Sequence, residues 1–179
     1  MKTVDVLIAA RNFFINDPSR WTAGALHKLV DGKDCFCAIG AMSLVSGCIS
    51  ESGLRAQRVV VSCTLGPTGF INADYSRTTP IAALSAKLLS DLEKDGIHLK
   101  AGAGAAKYLE AACRKLFGHS VITVNDGCTF SEHPRERTLG YQGIMKAFDL
   151  AIKNAKRRHI TGDRKKSVKA TCVVGWKFA

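Results

Sequence analysis

Apolar residues recur at helical spacing along most of the chain, and this periodicity sets the class of fold that the chain can adopt. One stretch, residues 79–94, has the fullest set of signals, with Thr79 at the N-cap and Pro80 in the first turn. Helices are predicted over residues 3–16, 21–30, 34–47, 79–94, 102–118 and 140–158. The sequence therefore predicts a mainly α protein, a compact bundle of five or six helices in a single globular domain spanning residues 1–179.

Three other stretches favour extended structure. Two runs rich in β-branched and aromatic residues, separated by Gly-Pro-Thr-Gly, predict a β-hairpin within about residues 57–76. Residues 167–178 alternate as a strand would, so a C-terminal strand could join the hairpin in a small antiparallel sheet. Residues 120–127 are also interpreted as a short extended piece.

Positive charge is concentrated near the C-terminus. The chain carries a formal net charge of +11, but residues 1–152 hold 17 basic and 14 acidic side chains. Residues 153–169 hold 8 basic side chains and 1 acidic one. This basic segment is predicted to extend the last helix.

A dense row of cations is typical of proteins that contact phosphates, which gives salt-sensitive and sequence-independent affinity. The leading hypothesis is a protein that binds nucleic acid or a nucleoprotein through this segment. Two alternatives stay open: a phage-type inhibitor or accessory protein that binds an acidic host protein, and a solvated face that serves solubility alone. The candidate contact residues are Lys153, Lys156, Arg157, Arg158, Arg164, Lys165 and Lys166; the last three are placed in a loop that follows the helix.

The seven cysteines form no recognisable disulfide framework, since their number is odd and their spacing irregular. Four of them have apolar neighbours, where a free thiol behaves as a small buried hydrophobe: Cys48, Cys63, Cys113 and Cys172. The sequence shows no export signal and no apolar run that could span a bilayer. These features predict a cytoplasmic protein with reduced thiols, no membrane association, no cofactor and no metal.

The segment Asp-Cys-Phe-Cys-Ala-Ile-Gly-Ala, residues 34–41, allows three interpretations. In the first, Cys35 or Cys37 lies at a helix N-terminus, where its thiolate could act with His133 or His119 in a hydrolase or transferase. In the second, the pair joins Cys128 and His133 around zinc. The third and favoured interpretation is close packing of small residues. This packing interpretation makes Cys35 the more exposed thiol. It also predicts a lower melting temperature for Cys37→Ser than for Cys37→Ala.

Several short motifs occur in an order that resembles an uncharacterised bacterial and phage family. They are D-P-x-x-W-x-x-G-A at residues 17–25, C-A-x-G-A at 37–41, N-D at 125–126 and D-x-A-I at 149–152. The resemblance implies a compact helical fold and no particular activity. It also implies that Trp21, the small residues around Cys37, and Asn125 with Asp126 form one packed junction where three helices meet.

Overall fold

The computed structural model describes residues 1–49, 64–66, 69–71, 78–79, 84–127 and 139–171. Within these residues the chain is mainly helical, as predicted, with six α-helices and two small antiparallel sheets. The helices are α1 (Thr3–Asn16), α2 (Ala38–Val45), α3 (Ala86–Lys94), α4 (Leu99–Phe117), α5 (Val121–Asp126) and α6 (Tyr141–Thr171). The strands are β1 (His27–Val30), β2 (Lys33–Phe36), β3 (Thr64–Gly66), β4 (Gly69–Ile71) and β5 (Thr78–Thr79).

Helices α1, α4 and α6 pack against one another and, with α2, enclose the main core. Phe14 of α1 and Phe148 of α6 are fully buried, with ring centroids 6.4 Å apart. Gly104 lies inside α4, where a Cβ would meet the side chain of Thr3, so the glycine allows α1 to approach closely. The buried apolar side chains of these helices include Val6, Leu7, Ala10, Met42, Ala105, Leu109, Ala112, Ile144, Ala147 and Ala151.

The boundaries of α1 and α4 follow their local signals. The backbone N–H of Lys2 donates to the carboxylate of Asp5 at 3.0 Å, so the cap of α1 lies one residue before Thr3. Pro18 follows the end of α1 and opens a single 3₁₀ turn, because a proline cannot continue the α-helical hydrogen bonds. Helix α4 ends at Gly118, whose φ of 76° is the left-handed conformation that glycine adopts readily.

The helix predicted over residues 21–30 is wrong: residues 27–30 are strand β1 of the hairpin β1–β2, and residues 21–26 belong to no helix. Asp31 and Gly32 have φ values of 48° and 76°, and Val30 pairs with Lys33 across the turn. Two successive residues with positive φ are what a two-residue type I′ turn requires, and Asp-Gly is a preferred sequence for it. The start predicted for the next helix, near Asp34, is wrong for the same reason: residues 33–36 are β2, and α2 begins at Ala38.

Two other element predictions also need correction. Thr79 does not cap a helix, since it pairs with Phe70 in the sheet, and the cap of α3 is Ser85, whose hydroxyl accepts the Leu88 N–H at 3.2 Å. Residues 121–126 form α5 and are not extended, because Ser120 caps them and accepts the N–H of Thr123 at 3.2 Å. A local cap here overrides the β preference of a Val-Ile-Thr-Val run.

The hairpin predicted within residues 57–76 is confirmed in β3 and β4, which pair antiparallel, and β5 adds a third strand. The predicted C-terminal strand is wrong for residues 167–171, which belong to α6. Residues 172–178 lie outside the described residues. No residue in the stretch 141–171 is a proline, and its glycines do not interrupt the helix.

Candidate functional site

The basic segment, residues 153–169, lies entirely within α6. The placement of Arg164, Lys165 and Lys166 in a loop is wrong, because the helix continues past them to Thr171. All seven candidate contact residues thus share one 31-residue helix, whose length is about 46 Å at 1.5 Å per residue.

The first part of the segment exposes its cations. Lys153, Lys156, Arg157 and Arg158 are exposed, whereas Ala151 and Ala155 of the same helix are buried in the core. Lys153, Lys156 and Arg157 are separated by three and four residues and therefore share a face, opposite the two alanines. At this point α6 packs on one side and presents a row of cations to solvent on the other.

Arg158 is turned toward the neighbouring helix. Its guanidinium carbon lies 5.9 Å from the centroid of the Tyr108 ring on α4, within the range of a cation–π contact. The basic segment therefore begins directly beside α4.

The acidic residue that precedes the basic segment on α6 is engaged by another helix. Asp149 is the acidic residue of α6 closest in sequence to Lys153, and its carboxylate forms an ion pair with Arg11 of α1 at 2.6 Å. In the described part of the chain, no acidic side chain forms an ion pair with Lys153 or Lys156. The charges of these two lysines are therefore not offset by a paired carboxylate within the described residues.

A second cluster of the predicted residues surrounds Asn125, which is 2% exposed. Its side-chain oxygen accepts the indole N–H of Trp21 at 3.1 Å and the backbone N–H of Ala38 at 3.0 Å. Its amide nitrogen donates to the backbone oxygen of Thr22 and to the carboxylate of Asp126, each at 3.0 Å. All four hydrogen bonds that an amide side chain readily makes are satisfied inside the protein.

The surrounding groups complete this junction. Asp126 also accepts the backbone N–H of Gly24 at 2.9 Å, and the rings of Trp21 and Tyr141 meet edge to face at 6.0 Å. A Cβ at Gly40 would collide with the backbone oxygen of Leu26. The prediction of one packed junction is confirmed: the start of α2, the end of α5 and the start of α6 meet there. Its fully satisfied hydrogen bonds indicate a structural role.

Cys37 occupies the N-cap position of α2, and its sulfur accepts the N–H of Gly40 at 3.4 Å. Burial raises the pKa of the Cys37 thiol, and the backbone N–H groups of Gly40 and Ile39 oppose this effect without offsetting it. The helix N-terminus therefore does not provide the thiolate that the enzymatic interpretation requires. Among the described residues, no histidine is hydrogen-bonded to this sulfur.

The other cysteine of the pair is more deeply buried. Cys35 is 2% exposed and its thiol donates to the backbone oxygen of Ser19 at 3.3 Å, whereas Cys37 is half-buried. The expectation that Cys35 is the more exposed thiol is wrong, because strand β2 turns Cys35 inward. Cys48 and Cys113 are buried, as predicted, and Cys63 and Cys172 lie outside the described residues.

The zinc interpretation cannot be assembled from the residues that the structure describes, since Cys128 and His133 lie outside them. Across the described ranges, no group of three or more His, Cys, Asp or Glu side chains has the arrangement of a metal site.

The pairing of His27 with Asp34 was not predicted from the sequence. The two side chains lie 2.8 Å apart, between His27 Nε2 and Asp34 Oδ1, and Asp34 is 6% exposed. The register of the hairpin makes them diagonal neighbours across the two strands, since Leu29 is the residue opposite Asp34. The Asp31-Gly32 turn was the signal that could have revealed this pair.

A scan against protein-family models and searches of curated proteins and solved structures gave no match to this chain. The family resemblance therefore remains a prediction, and function has to be argued from the chain itself. In the described portion of the protein, no helix combines the length and apolar character needed to cross a bilayer.

Proposed function

We propose that this protein binds nucleic acid, alone or within a nucleoprotein, through the basic segment on α6. The observation that carries the proposal is that residues 153–169 belong to one helix, whose first four candidate residues are exposed. A straight helix holds its cations at fixed spacing, so several of them can contact successive phosphates without ordering a flexible chain first.

The composition of the face favours backbone contacts over the reading of bases. Lysine and arginine bind phosphate oxygens and displace condensed counterions, which makes affinity strongly dependent on salt. Specific readout needs side chains that reach base edges in a groove, and stacking needs exposed aromatic rings. Within residues 141–158 the one aromatic side chain other than the buried Phe148 is Tyr141, which packs against Trp21.

The test is fluorescence anisotropy with short labelled DNA and RNA at several salt concentrations. We expect binding that weakens steeply with salt, and a large loss of affinity in the triple reversal Lys156→Glu, Arg157→Glu, Lys165→Glu. The matched control reverses three exposed lysines elsewhere, Lys2, Lys28 and Lys87, and so changes the net charge by the same amount. An absence of binding at low salt, or equal losses in the two variants, would contradict the proposal.

A pull-down from nuclease-treated host lysate separates nucleic acid from an acidic protein partner. If nucleic acid is the ligand, partners recovered from untreated lysate are lost after nuclease digestion. A stoichiometric protein that survives digestion and fails to bind the α6 reversal variant would show that the basic face serves protein recognition instead.

A further inference from the structure

Helix α4 carries a second row of cations that the basic segment does not include. Lys100, Lys107 and Arg114 are exposed and lie seven residues apart, so they line up along one face of α4 with steps of about 10.5 Å. The opposite face of the helix is buried in the core through residues such as Ala105, Leu109 and Ala112.

One cation of this row, Arg114, is paired with an acidic side chain, and in the described part of the chain the other two are not. Glu110 is the acidic residue of α4, and its two carboxylate oxygens accept from Arg114 at 2.6 Å and from the backbone N–H of Val121 at 2.8 Å. Among the described residues, no acidic side chain forms an ion pair with Lys100 or Lys107. These two lysines are therefore available to an anionic partner.

The rows on α4 and α6 belong to adjacent helices. The two helices pack directly against each other, and Arg158 of α6 lies over the ring of Tyr108, the residue next to Lys107. Packed helices are about 8–10 Å apart between their axes, so the two rows are carried on neighbouring axes about that far apart.

We propose that the partner is a nucleic-acid duplex and that the α4 row contacts it together with α6. This inference rests on the proposed function and extends it to a class of ligand. The grooves of B-form DNA are about 6 and 12 Å wide, so the two strands of a duplex offer phosphates at separations of this order. A single strand has one line of phosphates, and it would gain little from a second row of cations.

The aromatic side chains point to the same ligand. Proteins that bind single strands stack unpaired bases on exposed aromatic rings. Two aromatic rings of α4 lie near these rows, Tyr108 and Phe117; both are half-buried, and Arg158 already lies over Tyr108. Among the described residues, this surface thus offers charges for two backbones and no fully exposed aromatic ring on which a base could stack.

The test compares the wild-type protein with Lys100→Gln, Lys107→Gln and with a control, Lys28→Gln, Lys87→Gln, which removes the same charge from exposed sites elsewhere. The probes are a duplex DNA oligonucleotide, its RNA counterpart and a single strand of equal length. Each phosphate contact contributes about 0.9 to the slope of log affinity against log salt for B-form DNA. We expect the α4 variant to lower the magnitude of that slope by about 1.8 with the DNA duplex, and the control to leave it unchanged.

The outcomes separate the two proposals. If the α6 reversal abolishes duplex binding while the α4 variant behaves as the control does, the proposed function stands and this inference fails. A single strand that binds as tightly as the duplex also overturns it. Failure of the wild-type protein to bind any nucleic acid at low salt overturns both proposals.

Discussion

Cys37 caps α2 with a sulfur atom, a weak hydrogen-bond acceptor at a position where serine is among the preferred residues. We therefore expect Cys37→Ser to unfold at the same temperature as the wild type or higher. Cys37→Ala should lose about 1 kcal/mol, since it leaves the Gly40 N–H without its partner. Thermal and urea denaturation of the wild type and the two variants measure the differences in unfolding temperature and in unfolding free energy.

The expected order of stability, with Cys37→Ser above Cys37→Ala, is the reverse of the order predicted from the sequence. That prediction placed residue 37 in an apolar site where a hydroxyl would find no hydrogen-bond partner. The structure supplies that partner in the N–H of Gly40. A serine variant less stable than the alanine variant would show that loss of solvent around the hydroxyl, and not capping, decides the stability here.

The candidate residues differ in how far the sequence could place them. The junction of Trp21, Cys37 and Asn125 was predictable because short motifs marked each part of it. The exposure of Lys153, Lys156 and Arg157 followed from helical spacing. The inward turn of Cys35 could not be foreseen, because it depends on the register of a hairpin that the helical interpretation had excluded.

At the scale of elements, helices α1, α4 and α6 were predictable because their periodicity extends over many residues. The shorter elements were not predictable, because each of their sequence signals is compatible with two kinds of secondary structure. Asp-Gly after an apolar run ends a helix in one context and turns a hairpin in another. The Val-Ile-Thr-Val run of α5 has a β preference, but Val121 and Val124 fall on one helical face and are both buried.

Helix α2 provides a test of close packing between elements. In a helix interior, Gly→Ala usually stabilises by about 0.5–1 kcal/mol. Gly40→Ala should do the opposite and destabilise by about 1–3 kcal/mol, because the new methyl group meets the backbone of Leu26, which cannot rotate away. The change in unfolding free energy in urea gives both sign and size.

Gly104→Ala in α4 is the matched comparison. There the added methyl group meets the side chain of Thr3, the first residue of α1. A side chain at the end of a helix can move at a lower cost in free energy than a packed backbone. We expect a smaller loss than at Gly40. Equal stabilisation of both variants would mean that the backbone shifts freely at the α2 contact.

For the molecule as a whole, buried thiols make stability depend on alkaline pH, and Cys48 and Cys113 are two of them. Burial raises the pKa of Cys48 to about 11 and that of Cys113 to about 12. In the unfolded chain a thiol ionises near pH 8.5, so above this pH the unfolded state releases protons that the folded state retains. The stabilisation that comes from keeping these two thiols protonated is therefore fully present below about pH 8.5 and is lost as the pH rises toward their pKa values in the folded protein.

We expect the free energy of unfolding to fall by a few kcal/mol between pH 8 and pH 10.5. A Cys48→Ala, Cys113→Ala variant, although less stable throughout, should lose less over the same interval. Urea denaturation under reducing conditions at the two pH values provides the comparison. Parallel losses in both proteins would assign the alkaline sensitivity to other groups.

The junction at Asn125 also bears on how the folded state forms and how long it persists. Its side chain joins residues that are 104 and 87 positions away in the chain, Trp21 and Ala38. Contacts this distant in sequence require long loops to close, whereas a helix forms from neighbours. If the helices assemble first, the amide closes the junction after the folding barrier has been crossed. Asn125 would then slow unfolding and have little effect on the folding rate. On this view, the buried amide lengthens the lifetime of the native state.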